Sequence, residues 1–279
     1  MNAVILGAGD LAATLARRLA ERELVRRVVM VDPSDGRAKG KALDLMQSGP
    51  VEGYDVAIEG AADLAGAGAF DLLLVADPPA FDDPLARAGD LAAVIAAAAG
   101  GRTVVVAGLQ AAPLLEALCG RGLARERLIG SAPVALASAL RRHLASELGC
   151  EPGAVAATLL GRPGQWLVPM GSATAGGLPV DGQSPVAVRR ALGTLNARTP
   201  GPVALAAGAV AVVRALVAPR PTVLPVMAVL QGEYGHRGVA VAVPARVGAG
   251  RIQGLLEAVL EPVDRVAFDN AAAARPLFR

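Results

Sequence analysis

Aromatic residues are scarce. Phe, Tyr and Trp together make up 3% of the 279 residues. A protein that grips single-stranded nucleic acid needs flat rings on which bases can stack, so that class is excluded. Net charge is also nearly missing. Lys and Arg number 27 against 25 Asp and Glu, which leaves +2 and no electrostatic footprint for DNA or RNA. The two cysteines, Cys119 and Cys150, form no C-x-x-C pair and no metal-ligand cluster. They point to a reducing, cytoplasmic setting. Long apolar runs are absent as well. A bilayer needs roughly 20 apolar residues in a row. The best runs, 91–101 and 203–213, fall well short, and Arg102, Pro202 and Arg214 bound them. The chain opens on Met1-Asn2 without the basic leader of a signal peptide. The expectation is a cytoplasmic protein with no membrane and no nucleic-acid partner.

What is abundant is small and apolar. Hydrophobic residues reach 53% and charged residues 19%, which excludes disorder. The core must come from Ala, Val and Leu. The length fits two modest domains. In the first half, short apolar runs at 3–6, 28–31, 55–58, 71–75 and 103–107 alternate with helical patterns at 13–23, 37–47, 84–99 and 113–120. That alternation predicts an α/β fold, a doubly wound parallel sheet with helices on both faces. Beyond about residue 130 the pattern changes to α+β. Helices are predicted over 134–148, 186–196, 203–217, 252–260 and 263–274. Strands are predicted over 155–160 and 166–170, and a hairpin over 223–230 and 239–243. The predicted domains are therefore 1–130 and 131–279. In helix 203–217, Ala204, Ala206, Ala207, Gly208 and Ala209 suit a close approach, either inside the chain or to another subunit.

The most specific local signal is Gly7-Ala8-Gly9-Asp10-Leu11-Ala12, which follows a strand and opens a helix. Asp32 closes the second strand at about the 20-residue spacing of a dinucleotide fingerprint. Gly7 permits the tight turn, Gly9 lets a pyrophosphate approach the backbone, and Ala12 lets the helix pack on the sheet. Amides at the helix start, around Asp10 and Leu11, would hold phosphates. Asp32 would accept the ribose hydroxyls and repel a 2′-phosphate, favouring NAD over NADP. Asp10 stands at the helix mouth. Its carboxylate suits the positive end of the helix dipole as an N-cap, and it competes with a phosphate.

Further blocks appear in a fixed order. They are Val31-Asp32, Gly40-Lys41-Ala42-Leu43-Asp44-Leu45, Arg127-Leu128-Ile129-Gly130, Leu160-Gly161 with Val168-Pro169, and Gly177-Leu178-Pro179. Leu230-Gln231-Gly232-Glu233-Tyr234-Gly235 comes last, followed by Val243-Pro244 and Gly248. With the glycine loop, these blocks resemble the malate/lactate dehydrogenase family nearly end to end. The resemblance implies a Rossmann half, an α+β substrate half, an NAD cofactor and a homo-oligomer built from dimers. It also implies descent from oxidation of 2-hydroxy acids.

That chemistry needs a histidine to take the hydroxyl proton, a carboxylate to orient it, and arginines to clamp the substrate carboxylate. The family's Gly-Gly-His-Gly-Asp-like turn reads Gly161-Arg162-Pro163-Gly164-Gln165 here, with Pro163 at the histidine position. Leu136 takes the place of the carboxylate, Ala139 that of the clamping arginine, and Gly108 that of an asparagine. In the loop after the fourth strand, Arg87 matches the second of two substrate arginines and the first is absent. His143, inside a helix, and His236, in a hairpin loop, read as packed or surface residues. Arg162 reads as a solvated turn residue in preference to an anion binder. Between Val180 and Leu224 the chain is shorter than its family. The expectation is a pseudoenzyme whose partner is a dinucleotide or small-molecule ligand, in a binding or scaffold role. The alternatives are an active NAD-dependent oxidoreductase on an unusual 2-hydroxy acid using relocated groups, and a structural protein with a vestigial glycine loop.

Overall fold

The computed structural model describes residues 1–76, 84–180 and 185–274. Six short apolar segments form the parallel part of the sheet: β1 (Asn2–Leu6), β2 (Arg27–Val31), β3 (Ala57–Ala61), β4 (Leu72–Val75), β5 (Thr103–Val106) and β6 (Leu128–Gly130). Their spatial order is β3-β2-β1-β4-β5-β6. The chain therefore reverses direction of travel between β1 and β4, and a crevice opens beyond the carboxyl ends of those strands. Side-chain alternation sends Ala3 and Ile5 of β1 into one core layer and Val4 and Leu6 into the other. Both faces are covered along the inner strands, which is why these read as apolar runs, whereas the edge strand β3 leaves Ala57 and Glu59 exposed. Helices α1 (Asp10–Glu21), α2 (Asp35–Glu52), α3 (Pro84–Ala99) and α4 (Ala111–Gly120) lie between successive strands. Leu15 and Leu19 of α1 are fully buried, and each contributes about 1.5–3 kcal/mol of transfer free energy. Helix α2 runs one turn past its predicted end. It includes Pro50 and stops at Gly53, whose φ is +81°.

The second part begins with α5 (Ala132–Leu148), followed by β7 (Val155–Ala156), β8 (Leu160–Arg162), β9 (Gln165–Leu167), β10 (Thr174–Ala175) and β11 (Leu178–Pro179). Helices α6 (Pro185–Ala197) and α7 (Pro202–Val217) come next. A long hairpin of β12 (Thr222–Gln231) and β13 (Arg237–Gly248), strand β14 (Arg251–Leu255) and helix α8 (Pro262–Ala273) complete it. Strand β12 pairs antiparallel with β6 through Met227 and Gly130, so the sheet continues from the parallel part into the antiparallel part. Strands β7, β10 and β11 form a separate small sheet. The α-carbon face of Gly208 on α7 lies against α5. A Cβ there would come within 3.0 Å of the Ser131 carbonyl oxygen, so Gly208 serves close packing within the chain, while Ala204 and Ala207 are exposed. Among the described residues no single helix is long and apolar enough to cross a membrane.

One predicted element is replaced. Residues 252–260 are not a helix. Ala249 and Gly250 adopt φ values of +49° and +74°, and this tight turn folds β14 back onto β13. An apolar run of that length fits either structure by periodicity, and the open edge of β13 decided it.

Arg125 and Glu233 tie the two parts together. The Nη1 group of Arg125 donates to both carboxylate oxygens of Glu233, at 2.8 and 3.0 Å, and the Gln231 amide donates to the same group at 2.7 Å. Burial pushes the Glu233 carboxyl up, but the Gln231 amide and the Arg125 guanidinium outweigh it and hold it below its ordinary value. With the folded pKa lowered, this contribution is full above the ordinary carboxylate range and is lost as pH falls through the folded value. Glu233→Gln is expected to lower stability by about 1 kcal/mol at pH 7. The difference should shrink as pH falls from the ordinary carboxylate range and vanish below the lowered folded value, as read by urea unfolding at each pH. A difference independent of pH would contradict this account.

Candidate dinucleotide-binding crevice

Strand β1 ends at Leu6, and the Gly7 amide donates to the Val31 carbonyl at 2.7 Å, which pins the loop beside β2. Gly7 has a φ of +118°, a conformation side chains rarely adopt. Ala8 is buried and Gly9 is extended, in the N-cap position of α1, with no side-chain cap. Asp10 is therefore not the N-cap. It sits one residue inside α1, with its side chain 85% exposed and an oxygen 3.8 Å from Lys41 Nζ. Solvation of the carboxylate and the pull of Lys41 draw it outward. The Leu11 side chain is buried in the core under the loop.

Asp32 closes β2. Its side chain is only 3% exposed. One carboxylate oxygen accepts the Ser34 amide at 2.9 Å, and the other lies 3.7 Å from the Arg37 guanidinium. Arg37, in the first turn of α2, was not singled out in the sequence. The only sequence clue was its place five residues beyond the acidic residue. The loop, the start of α1 and the end of β2 thus meet at the switch point. Gly7 and Gly9 leave that approach clear of side chains, so the residues present fit a dinucleotide.

The positions that the resemblance assigns to proton transfer are filled differently. Pro163 stands in the β8–β9 turn, where Arg162 pairs with Gln165. Leu136 is 1% exposed and belongs to the core with Leu140 and Leu144. Ala139 packs against the same cluster, and the space around Gly108 is open. Arg162 is neither solvated nor free to bind an anion. It is 7% exposed, and its guanidinium donates to the carbonyls of Ala240 and Ala274, each at 2.8 Å, and to the Glu116 carboxylate. Glu116 also accepts the Ala240 amide at 2.8 Å. His236 is held by Asp269 of α8 at 2.7 Å, and His143 lies partly exposed on α5. Asp269 is drawn below the usual carboxylate range, first by the His236 hydrogen bond and then by Arg265. Arg87 falls in α3, with its side chain outside the described residues, as is the loop 77–83 before it.

The strand order, the glycine loop and the acid at the end of β2 define a Rossmann-type α/β protein with an antiparallel second part. No protein-family model matches the chain. It is 31% identical over 295 residues to a malate dehydrogenase of Chloroherpeton thalassium, covering 98% of this chain and 95% of that one. A malate dehydrogenase of Methanosarcina mazei is 31% identical over 283 residues, covering 92% and 91%. Among solved structures, the malate dehydrogenase of Salinibacter ruber superposes with a TM-score of 0.88 at 25% identity, covering 98% of this chain and 94% of that one. The lactate dehydrogenase of Cryptosporidium parvum, solved with lactic acid and nicotinamide adenine dinucleotide, gives 0.85 at 19% identity, covering 97% and 94%. The chain belongs to the malate/lactate dehydrogenase family.

Proposed function

We propose that this protein binds NAD(H) in the switch-point crevice but does not oxidise malate or lactate, and that it acts as a binding or scaffold protein. Residues 1–130 hold the dinucleotide, with Gly7, Gly9, Asp10 and Leu11 at the pyrophosphate and Asp32 toward the adenosine ribose. A bound nicotinamide would supply hydride acceptance. The chain would have to supply the proton acceptor. The observation that carries the reading is Pro163 at the position of that acceptor, with Leu136 locked in the core where its carboxylate partner would stand. Proline has no proton to exchange, and a fully buried leucine cannot orient a base.

The test is a titration of NADH fluorescence alongside NAD reduction with malate, lactate and other 2-hydroxy acids. Saturable binding with turnover at background is expected. Gly7→Val, which puts a branched side chain at φ +118°, should weaken binding by about a hundredfold or more. A flat titration of the parent protein would leave only a structural role. Turnover well above background would favour the second reading, an oxidoreductase with relocated groups.

The same reading includes a cytoplasmic homo-oligomer, a dimer or a dimer of dimers. Leu43 and Met46 of α2, 52% and 45% exposed and three residues apart, would offer apolar contacts for it.

A further inference from the structure

The fingerprint acid does not face the crevice as an open charge. Both Asp32 oxygens have a positive neighbour, the Ser34 amide on one side and Arg37 on the other, and the side chain is almost wholly buried. This end of the crevice exposes charges of both signs, with the Asp10 and Asp35 side chains 85% and 46% exposed. Arg37 is 58% exposed and Lys41, one turn further along α2, is 40% exposed. Lys39 is engaged elsewhere, with Asp35 at 2.7 Å. The start of α2 beside Arg37 is open, since a Cβ built on Gly36 would meet no atom within 4 Å. An uncovered carboxylate here accepts ribose hydroxyls and repels a phosphate, which favours NAD over NADP. An arginine 3.7 Å from that carboxylate weakens the repulsion. The guanidinium fork matches phosphate oxygens, and it lies within 3.7 Å of the group that would otherwise select against them.

We propose that the crevice accepts the 2′-phosphorylated dinucleotide, NADP(H), alongside NAD(H), and that Arg37 is the specificity-determining residue that reads the 2′-phosphate. This rests on the reading that the crevice holds a dinucleotide. Arg37 would reach the phosphate from its place beside Asp32, with Lys41, itself 3.8 Å from Asp10, one turn away. Asp32 keeps its Ser34 hydrogen bond, and its charge is offset by the phosphate-bound arginine nearby.

Equilibrium binding of NADH and NADPH to the full chain tests this, with 5′-AMP and 2′,5′-ADP as competitors that isolate the adenosine end. The expected result is a Kd for NADPH within about tenfold of that for NADH, and 2′,5′-ADP competing at least as well as 5′-AMP. Arg37→Ala should weaken NADPH and 2′,5′-ADP by about tenfold or more while leaving NADH within about twofold. Arg37→Lys should restore part of the loss. Arg37 is a surface residue, and an unchanged thermal midpoint will confirm that the variants are folded. Binding of NADH with NADPH more than about a hundredfold weaker would overturn the proposal and leave the dinucleotide reading intact. An Arg37→Ala variant with an unchanged NADPH-to-NADH ratio would overturn it equally. If neither dinucleotide binds, the dinucleotide reading falls and this proposal falls with it.

Discussion

Leu136→Asp, the substitution that puts a carboxylate back where the family resemblance places one, is expected to destabilise the protein by about 4 kcal/mol. Two costs combine. The first is the loss of a leucine that is 1% exposed among Leu140, Leu144 and their neighbours, which leaves a cavity in the core. The second is a carboxylate introduced into an apolar cluster with no base beside it, because the corresponding turn carries Pro163. For a chain of this length the thermal midpoint should fall by roughly 8–16 °C, and scanning calorimetry will read it directly. A fall of less than about 2 °C would show that the position is wetter than its burial indicates. The same experiment bears on function. If the change unfolds the protein, proton-transfer chemistry cannot be restored at this site by reversing single residues, because the core has closed over the position.

Arg162→Ala is the second large effect. The Arg162 guanidinium joins β8 to α4 through Glu116, to β13 through the Ala240 carbonyl and to the end of α8 through the Ala274 carbonyl. Its side chain is 8% exposed and that of Glu116 is 29% exposed. Removing the arginine strands a half-buried carboxylate and two carbonyls. Breaking a fully buried pair costs roughly 3–5 kcal/mol, and the partial exposure of Glu116 places this one near 3. A fall in midpoint of roughly 6–12 °C is expected. Glu116→Gln in the Arg162→Ala background should recover part of it, since the stranded charge is gone. If the double variant is no better than Arg162→Ala alone, the penalty comes from lost packing and not from the unpaired carboxylate.

Different parts of this protein were legible to different degrees. The parallel strands were legible because strands covered on both faces need apolar side chains at every position, and Val28–Val31 in sequence leaves little alternative. The glycine loop was legible because its chemistry is local. Gly7 needs its φ and Gly9 must carry no side chain, and both demands act on single residues. The state of Asp32 was not legible. Its identity and spacing were in the chain, but whether it faces solvent or is covered by Arg37 depends on where the first turn of α2 settles. Arg162 was misread for a related reason. A charged residue beside Pro-Gly has the local look of a solvated turn, and its partners lie at Glu116, Ala240 and Ala274. Strand β14 was misread because its partner edge belongs to another segment.

By itself, the sequence determined the alternation that builds the parallel sheet, the loop at its switch point, and the absence of a histidine from the turn at Pro163. These depend on hydrophobic period, on backbone freedom at single glycines and on side-chain identity, all of which act over a few residues. Only the tertiary structure decided which charges meet. Arg125 finds Glu233, Arg162 finds Glu116, and Arg37 covers Asp32. An ion pair is fixed by distance and burial, and both are set by how whole elements dock, which a charge's own neighbours in the chain do not encode.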